Sequence, residues 1–219
     1  MQQLFDFAII NAVAVIAYSA TVLTYPGLFT AITFPGIVTM TLPRDVHASR
    51  QGQHDYLCGI YSLINTLSYL YDGRVRREKL MYRLLGSYKR RWDLFDLLTL
   101  GLDEEQMDHL IGDVLLKGHY ARHYPLNFHT PFRYRSLRSR QILSDISDWL
   151  ALPENQAQRV VILGTSWHWS VVVRTDATRL FLFDSLGIRS QRRDTFSVQP
   201  ELKRHTLLPD AIYFVEREF

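Results

Sequence analysis

The spacing of hydrophobic and polar residues changes part-way along this chain. After Cys58, apolar residues recur at the three-to-four-residue spacing of a helix with one buried face. They include Tyr61, Ile64, Leu67 and Tyr71. The pattern ends at Asp72-Gly73, a typical helix stop. Cys58 is therefore predicted to lie in the first turn of an amphipathic, largely buried helix.

Three further segments have helical patterns, at 76–86, 103–117 and 139–153. Residues 118–135 have no period and are predicted to form a long loop or irregular strands. Beyond them, short runs rich in β-branched and aromatic residues indicate strands. These runs are 159–164, 167–174, 179–185 and 211–217. Helices followed by hairpin-connected strands indicate an α+β fold with an antiparallel sheet.

The N-terminal segment, residues 1–40, differs from the rest of the chain, residues 41–219. No charged residue occurs from Phe7 to Pro43, and the apolar run from Phe7 to Thr24 is just long enough to span a bilayer. No basic residue precedes this run, so it does not fit a cleaved signal peptide. Three interpretations remain: a membrane anchor, a helix or strands of the core, or a chain whose translation begins at Met40.

Charge and cysteine content narrow the class of protein further. The formal net charge is only +3, but basic residues concentrate in 74–92 and 133–140. Such runs are usually solvated helix faces, although an acidic partner or anionic lipid would also fit them. We do not expect nucleic acid as a partner. Because the chain has one cysteine, no intrachain disulfide forms, and a reducing compartment is expected.

The candidate chemistry centres on Cys58, because a helix N-terminus favours a thiolate. Such a nucleophile needs a base and a group that orients the base. His168 stands at the start of a predicted strand, and Asp184 ends the next one, where a hairpin would bring the two together. Gln53 and Gln51, shortly before the helix, could each donate an amide N–H to an oxyanion.

These residues resemble the papain-like cysteine peptidases, and among them the small bacterial peptidases that cut double-glycine leader peptides. "QHDYLCGIYSLINTL" is similar to that group's segment from glutamine to Cys-Gly. "HWSVVVRTDATRLFLFDSLG" is similar to its histidine and aspartate segments, and "AIYFVER" to its closing strand. The family's glutamine usually stands six residues before the cysteine, whereas Gln53 stands five and Gln51 seven before Cys58.

The resemblance covers roughly residues 41–219 and implies a papain-like domain whose catalytic helix packs against a C-terminal antiparallel sheet. Cys58 would be the nucleophile, and His168 the general base and acid. Asp184 would orient the imidazole, and Gln53 would donate to the oxyanion.

The function predicted from these residues is a thiol hydrolase that acts on amide bonds, first of all a cysteine peptidase with a protein or peptide substrate. Trp167, Trp169 and Gly59 are predicted to contact that substrate. Deamidation or transglutamination, as in effector relatives of the fold, uses the same chemistry. A non-enzymatic papain-like binding module is the alternative from another class. The expected location is the cytoplasm or a membrane face in a reducing compartment, with a secreted effector as the alternative.

The remaining histidines have weaker assignments. His54 is an alternative base, because it stands close to Cys58 in the sequence. Four other histidines recur in the middle of the chain, at His109, His119, His123 and His129. His119 and His123 stand four residues apart, as metal-binding pairs on a helix do, but they fall in a predicted loop rather than in a firm helix. We therefore expect neither a metal ion nor another cofactor.

Overall fold

The computed structural model describes residues 46–52, 55–151, 158–200 and 202–218. Its α-helices are α1 (Cys58–Leu70), α2 (Arg77–Tyr88), α3 (Leu94–Leu100), α4 (Glu104–Leu110), α5 (Gly118–His123) and α6 (Ser139–Leu150). A π-helical turn, Ile111–Leu115, continues α4. Its strands are β1 (Leu126–His129), β2 (Arg159–Thr165), β3 (Trp169–Thr175), β4 (Arg179–Leu182), β5 (Ser190–Arg192), β6 (Phe196–Ser197) and β7 (His205–Arg217).

The described strands form one sheet in the order β1-β7-β2-β3-β4-β5. All neighbours along this path are antiparallel, and the short β6 pairs in parallel with the start of β7. The hairpin between β2 and β3 aligns Gly164 with Trp169, which places His168 in the turn between them. This topology puts helices first and an antiparallel sheet second, so the α+β prediction is confirmed.

Helices cover both faces of the central strands. Along β2, Val160 and Ile162 belong to the hydrophobic cluster that contains α1, α2 and α4. Val161 and Leu163 point to the other face and pack in a second cluster with α6. Because successive strand residues face opposite sides, burial of both faces requires an unbroken apolar run. The sequence "VVIL" in β2 meets that requirement.

Most predicted elements agree with the structure to within a few residues, but three regions differ. Residues 118–135 were predicted to be irregular, yet they contain α5 and the edge strand β1. The helix predicted over 103–117 changes to π-helical geometry at Ile111. Strand β7 begins at His205, earlier than the predicted 211, because its first residues pair with β6.

The predictions for the N-terminal segment, residues 1–40, lie outside the described residues. Within the part of the chain that the structure does describe, every helix is too short or too polar to cross a membrane.

Candidate active site

Cys58 is the first residue of α1, as its position in the apolar pattern predicts. Leu57 precedes it as the N-cap, and no side chain caps the helix there. The N–H groups of a helix's first turn have no carbonyl partner within the helix and carry its positive dipole end. The thiol is 8% exposed, at the rim of a cleft. Cys58 therefore lies beside backbone N–H groups that have no partner within the helix.

Asp55 shapes the loop that leads into this helix. Its carboxylate accepts hydrogen bonds from the backbone N–H of Gly52 at 2.8 Å and of Leu57 at 3.2 Å. Asn65 of α1 holds the preceding segment, because its amide exchanges two hydrogen bonds with the backbone of Ser49. The loop is thus fixed to the same helix that presents Cys58.

His168 lies in the turn between β2 and β3 and is only 4% exposed. Thr165 fixes its backbone: the Thr165 hydroxyl accepts from the His168 N–H at 3.2 Å, and the Thr165 N–H donates to the His168 carbonyl at 2.9 Å. The ring nitrogen Nε2 lies 2.7 Å from Oδ2 of Asp184. Because Nε2 faces the carboxylate, Nδ1 is the nitrogen that remains for the thiol of Cys58.

Asp184 follows β4, at the beginning of a tight turn, and its side chain is completely buried. Oδ2 also accepts a hydrogen bond from the Ser170 hydroxyl at 3.0 Å. Oδ1 accepts from the backbone N–H of Leu186 at 2.8 Å. A buried carboxylate is tolerated where such donors replace water. The same donors hold the carboxylate in one orientation toward the imidazole.

The pKa of His168 depends on its two neighbours in this site. Burial by itself lowers the pKa of the His168 imidazole, but hydrogen bonds to Asp184 and Cys58 outweigh burial and raise that pKa to about 9. The imidazole is therefore protonated at neutral pH. A protonated imidazole between a carboxylate and a sulfur can stabilise a thiolate and can later give a proton to a leaving group.

A cleft of about 440 Å³ opens beside Cys58 and His168. Trp167 forms one wall: its ring is 47% exposed and stacks on His168 with the ring centroids 5.0 Å apart. Trp167 also stacks on His205, and its indole N–H donates to Nδ1 of that histidine at 3.1 Å. The remaining lining includes Tyr56, Leu100, Leu102, Asp103, Glu104, Thr165, Ser166 and Leu208.

Trp169 and Gly59 occupy positions different from that of Trp167. Trp169 lines the cleft but is 6% exposed, and its indole N–H donates to the carbonyl of Leu102 at 2.9 Å. Gly59 is buried and is not among the residues that line the cleft. A side chain at Gly59 would place its Cβ 2.7 Å from Cδ1 of Leu102. The structure thus gives Gly59 a packing role and Trp169 a role in both core and cleft.

The two candidate oxyanion donors are placed differently. Gln53, like the alternative base His54, lies outside the described residues. Gln51 is tied to the turn that carries Asp184: its backbone N–H donates to the Ser185 carbonyl at 3.3 Å, and its side-chain oxygen accepts from the Ser185 hydroxyl at 2.9 Å. Its amide nitrogen donates to the Asp55 carbonyl at 3.2 Å. The oxygen and the nitrogen of the Gln51 side-chain amide therefore both form hydrogen bonds within the protein.

Sequence reasoning missed two serines of this site. Ser170 stands two residues after His168, and side chains two apart on a strand share a face, which is a signal that could have identified it. Ser185 stands directly after Asp184, at the start of the turn that follows β4. Its contact with Gln51 joins residues 134 positions apart, and no local pattern indicates such a contact.

The remaining histidines that the structure describes lie in separate local contacts. Within the described residues, no group of three or more His, Cys, Asp or Glu side chains is placed to hold a metal ion. His109 contacts the Ser87 hydroxyl at 3.2 Å and packs against Trp92. His119 and His123 stack on each other one turn apart.

No protein-family model matches the chain. The curated proteins also contain no match to it.

Proposed function

We propose that this protein is a papain-like thiol hydrolase that acts on amide bonds, with Cys58, His168 and Asp184 as its catalytic triad. One observation carries the proposal. A single buried imidazole interacts with a thiol at a helix start and, at 2.7 Å, with a buried carboxylate. The first interaction can generate a nucleophile, and the second orients the base and stabilises its charge.

In the first half of the proposed reaction, the Cys58 sulfur attacks the carbonyl carbon of the substrate amide and forms a C–S bond. The oxyanion that results collapses and breaks the C–N bond. His168, protonated at neutral pH, donates its proton to the departing nitrogen. The products are a free amine and a thioester on Cys58.

In the second half, neutral His168 takes a proton from water while the water oxygen attacks the thioester. The C–S bond breaks, and a carboxylic acid leaves. Cys58 returns as a thiolate and His168 as an imidazolium. Asp184 holds the imidazole through Nε2 in both halves, so that Nδ1 faces the reacting atoms.

The backbone N–H of Cys58, at the start of α1, is one donor that we propose for the oxyanion. A side-chain amide would be the second donor. Because both ends of the Gln51 amide are engaged with Asp55 and Ser185, we propose Gln53 for this role.

The cleft supports a protein or peptide as the substrate. Its volume of about 440 Å³ lies within the roughly 300–1,000 Å³ of ligand sites. Exposed apolar side chains of Tyr56, Leu100, Trp167 and Leu208 line it. We propose that these residues bind apolar substrate side chains and that Trp167 also shields His168 from water.

The experiment compares new protein termini and new deamidation sites in a proteome incubated with the full chain and with its Cys58→Ala variant. A peptidase produces termini that the variant does not produce. Conversion of glutamine or asparagine side chains without new termini would assign the same triad to deamidation. If neither change depends on Cys58, the amide-bond proposal is wrong and the binding-module interpretation is favoured.

A further inference from the structure

A second cavity, of about 450 Å³, lies between α2 and α5 and shares no lining residue with the cleft at Cys58. Four cationic side chains and three rings line it. They are Arg74, Arg76, Lys79, Arg83, His119, Tyr120 and Tyr124. No aspartate or glutamate is among these residues. This cavity contains the first part of the basic segment 74–92, which the proposed hydrolase does not use.

The fold directs these cations to one place. Arg76, Lys79 and Arg83 follow each other at spacings of three and four residues, so they share one face of α2 and its N-cap. Arg74 precedes the helix, and its carbonyl accepts a hydrogen bond from the Tyr124 hydroxyl at 3.3 Å. This bond links the segment before α2 to the end of α5.

The cations of this cavity have no acidic partners in the described part of the chain, where no salt bridge includes any of the four. Other arginines are paired: Arg133 with Asp108, Arg159 with Glu216 and Arg192 with Asp194. Like charges one turn apart on a helix repel each other. An anion in the cavity would relieve this repulsion.

The surroundings of His119 indicate the same positive field. Burial lowers the pKa of its imidazole, and the charges of His123, Arg122, Arg83 and Lys79 lower it further. The rings of His119, Tyr120 and Tyr124 pack against one another, with centroids 5.2 to 6.3 Å apart. Because these rings meet edge to face or tilted, they do not form the open platform on which single-stranded bases stack.

We propose that this cavity binds a compact ligand carrying two or more phosphate groups. Guanidinium groups match phosphate oxygens with paired hydrogen bonds, and a lysine ammonium adds a point charge. A concave site with four convergent cations fits a small polyanion better than it fits an extended chain. The inference goes beyond the proposed hydrolase and does not depend on it.

The test is isothermal titration calorimetry of the full chain with inorganic tripolyphosphate, at about 0.15 M NaCl to screen weak surface contacts. One ligand is expected to bind per chain. The Arg76→Gln/Arg83→Gln double variant is expected to weaken binding about tenfold or more, since it removes two charge-assisted contacts. Lys79→Gln, a single exposed change, is expected to weaken it several-fold.

The matched control is Arg138→Gln/Arg140→Gln, which removes two exposed arginines from a different cavity that also contains Asp145 and Asp194. This control is expected to bind as the unchanged protein does. Absence of binding by the unchanged protein, or equal loss in both double variants, would overturn the proposal. So would binding of phosphatidylserine vesicles that needs Arg76 and Arg83 while tripolyphosphate does not bind, because the ligand would then be a lipid surface.

Discussion

A histidine that is almost fully buried can carry a charge only where other groups replace water. His168 has such groups on both sides, with Asp184 at Nε2 and the thiol of Cys58 as its other partner. Asp184 in turn depends on Ser170 and on the backbone of its own turn. At the residue scale, the site is a chain of contacts in which each member fixes the charge or orientation of the next.

This chain of contacts predicts the titration of His168. In the folded protein the imidazole should lose its proton near pH 9, well above its ordinary pKa of 6.5. Because the folded pKa is raised, the stabilisation is fully present below about pH 6.5 and is lost as pH rises through 9. Asp184→Asn should lower the pKa, since it removes the negative partner.

The measurement is an NMR titration of labelled histidine side chains in the full chain. His123, which is exposed, provides an internal comparison in the same spectra. If the His168 imidazole of the unchanged protein titrates at or below its ordinary pKa of 6.5, its proposed interactions with Asp184 and Cys58 are contradicted.

Much of this site could be predicted from the sequence, because the chemistry of the residue types limits the roles that they can take. The chain has one cysteine, and the roles of cysteine, histidine and aspartate in such a site are distinct, so helix and hairpin positions could predict which of them meet. Ser170 could have been identified only from the strand face that it shares with His168, and no local pattern pointed to Ser185. Their contributions depend on distances that only the folded chain sets.

At the scale of elements, the position of α1 depends on close packing at Gly59. A Cβ there would lie 2.7 Å from Cδ1 and 3.0 Å from Cβ of Leu102. Gly59→Ala should therefore destabilise the protein by about 1–3 kcal/mol through overpacking, despite the better helix propensity of alanine. Urea unfolding monitored by circular dichroism measures this change.

The matched control is Gly86→Ala in α2, where a new Cβ meets no atom within 4 Å. It should stabilise the protein by about 0.5–1 kcal/mol, because only the backbone entropy of the unfolded chain changes. Equal effects of the two changes would show that Leu102 does not limit the approach of α1.

The contact between Gln51 and Ser185 joins the loop before α1 to the turn after β4. Ser185→Ala removes its hydroxyl donor and should cost about 0.5–1.5 kcal/mol of stability. It should also slow alkylation of Cys58 several-fold, because the loop and the Asp184 turn would then move independently. The rate of Cys58 alkylation by iodoacetamide, followed in samples quenched at successive times, measures the second effect.

Ser147→Ala in α6 is the control for this change. The Ser147 hydroxyl donates to the Leu143 carbonyl and accepts from Arg193. These contacts lie on the side of the sheet opposite α1. It should lower stability to a similar extent and leave the alkylation rate unchanged. If both serine variants slowed alkylation equally, general destabilisation rather than the contact with Gln51 would be the cause.

Helices and strands with a clear hydrophobic period were predicted well, whereas elements without such a period were missed. α2 and α6 bury one apolar face, α1 is buried almost all round but keeps a helical apolar spacing, and β2 is apolar on both faces, so their patterns were visible. β1 is an edge strand of four residues whose conformation depends on pairing with β7. α5 is six residues long and contains no repeated apolar spacing. Both β1 and α5 therefore depend on tertiary contacts rather than on a local sequence pattern.

At the scale of the whole molecule, a polar cluster around the buried Tyr213 joins the helices to the sheet. Tyr213 of β7 donates its hydroxyl hydrogen to Asp108 at 2.8 Å and accepts from Arg133 at 2.9 Å. Arg133 and Asp108 also form a paired salt bridge. The cluster connects strand, helix and the loop before α6 at one point.

Tyr213→Phe should therefore lower the free energy of unfolding by about 1–2 kcal/mol, since it removes the hydroxyl but preserves the ion pair. Urea unfolding measures the difference. Tyr134→Phe, at a side chain that is 95% exposed, is the control and should change stability by less than about 0.5 kcal/mol. No difference between the variants would show that the cluster does not stabilise the fold.

The central claim is that Cys58 is a nucleophile activated by His168, and the rate of its alkylation by iodoacetamide near neutral pH tests that claim most directly. The full chain contains one cysteine, so all labelling reports on this site. We expect the thiol to react at least several-fold faster than free cysteine, as thiols stabilised as thiolates do. His168→Ala should abolish this advantage, whereas His123→Ala should not change it. A Cys58 that reacts no faster than free cysteine, with no effect of His168→Ala, would contradict the account.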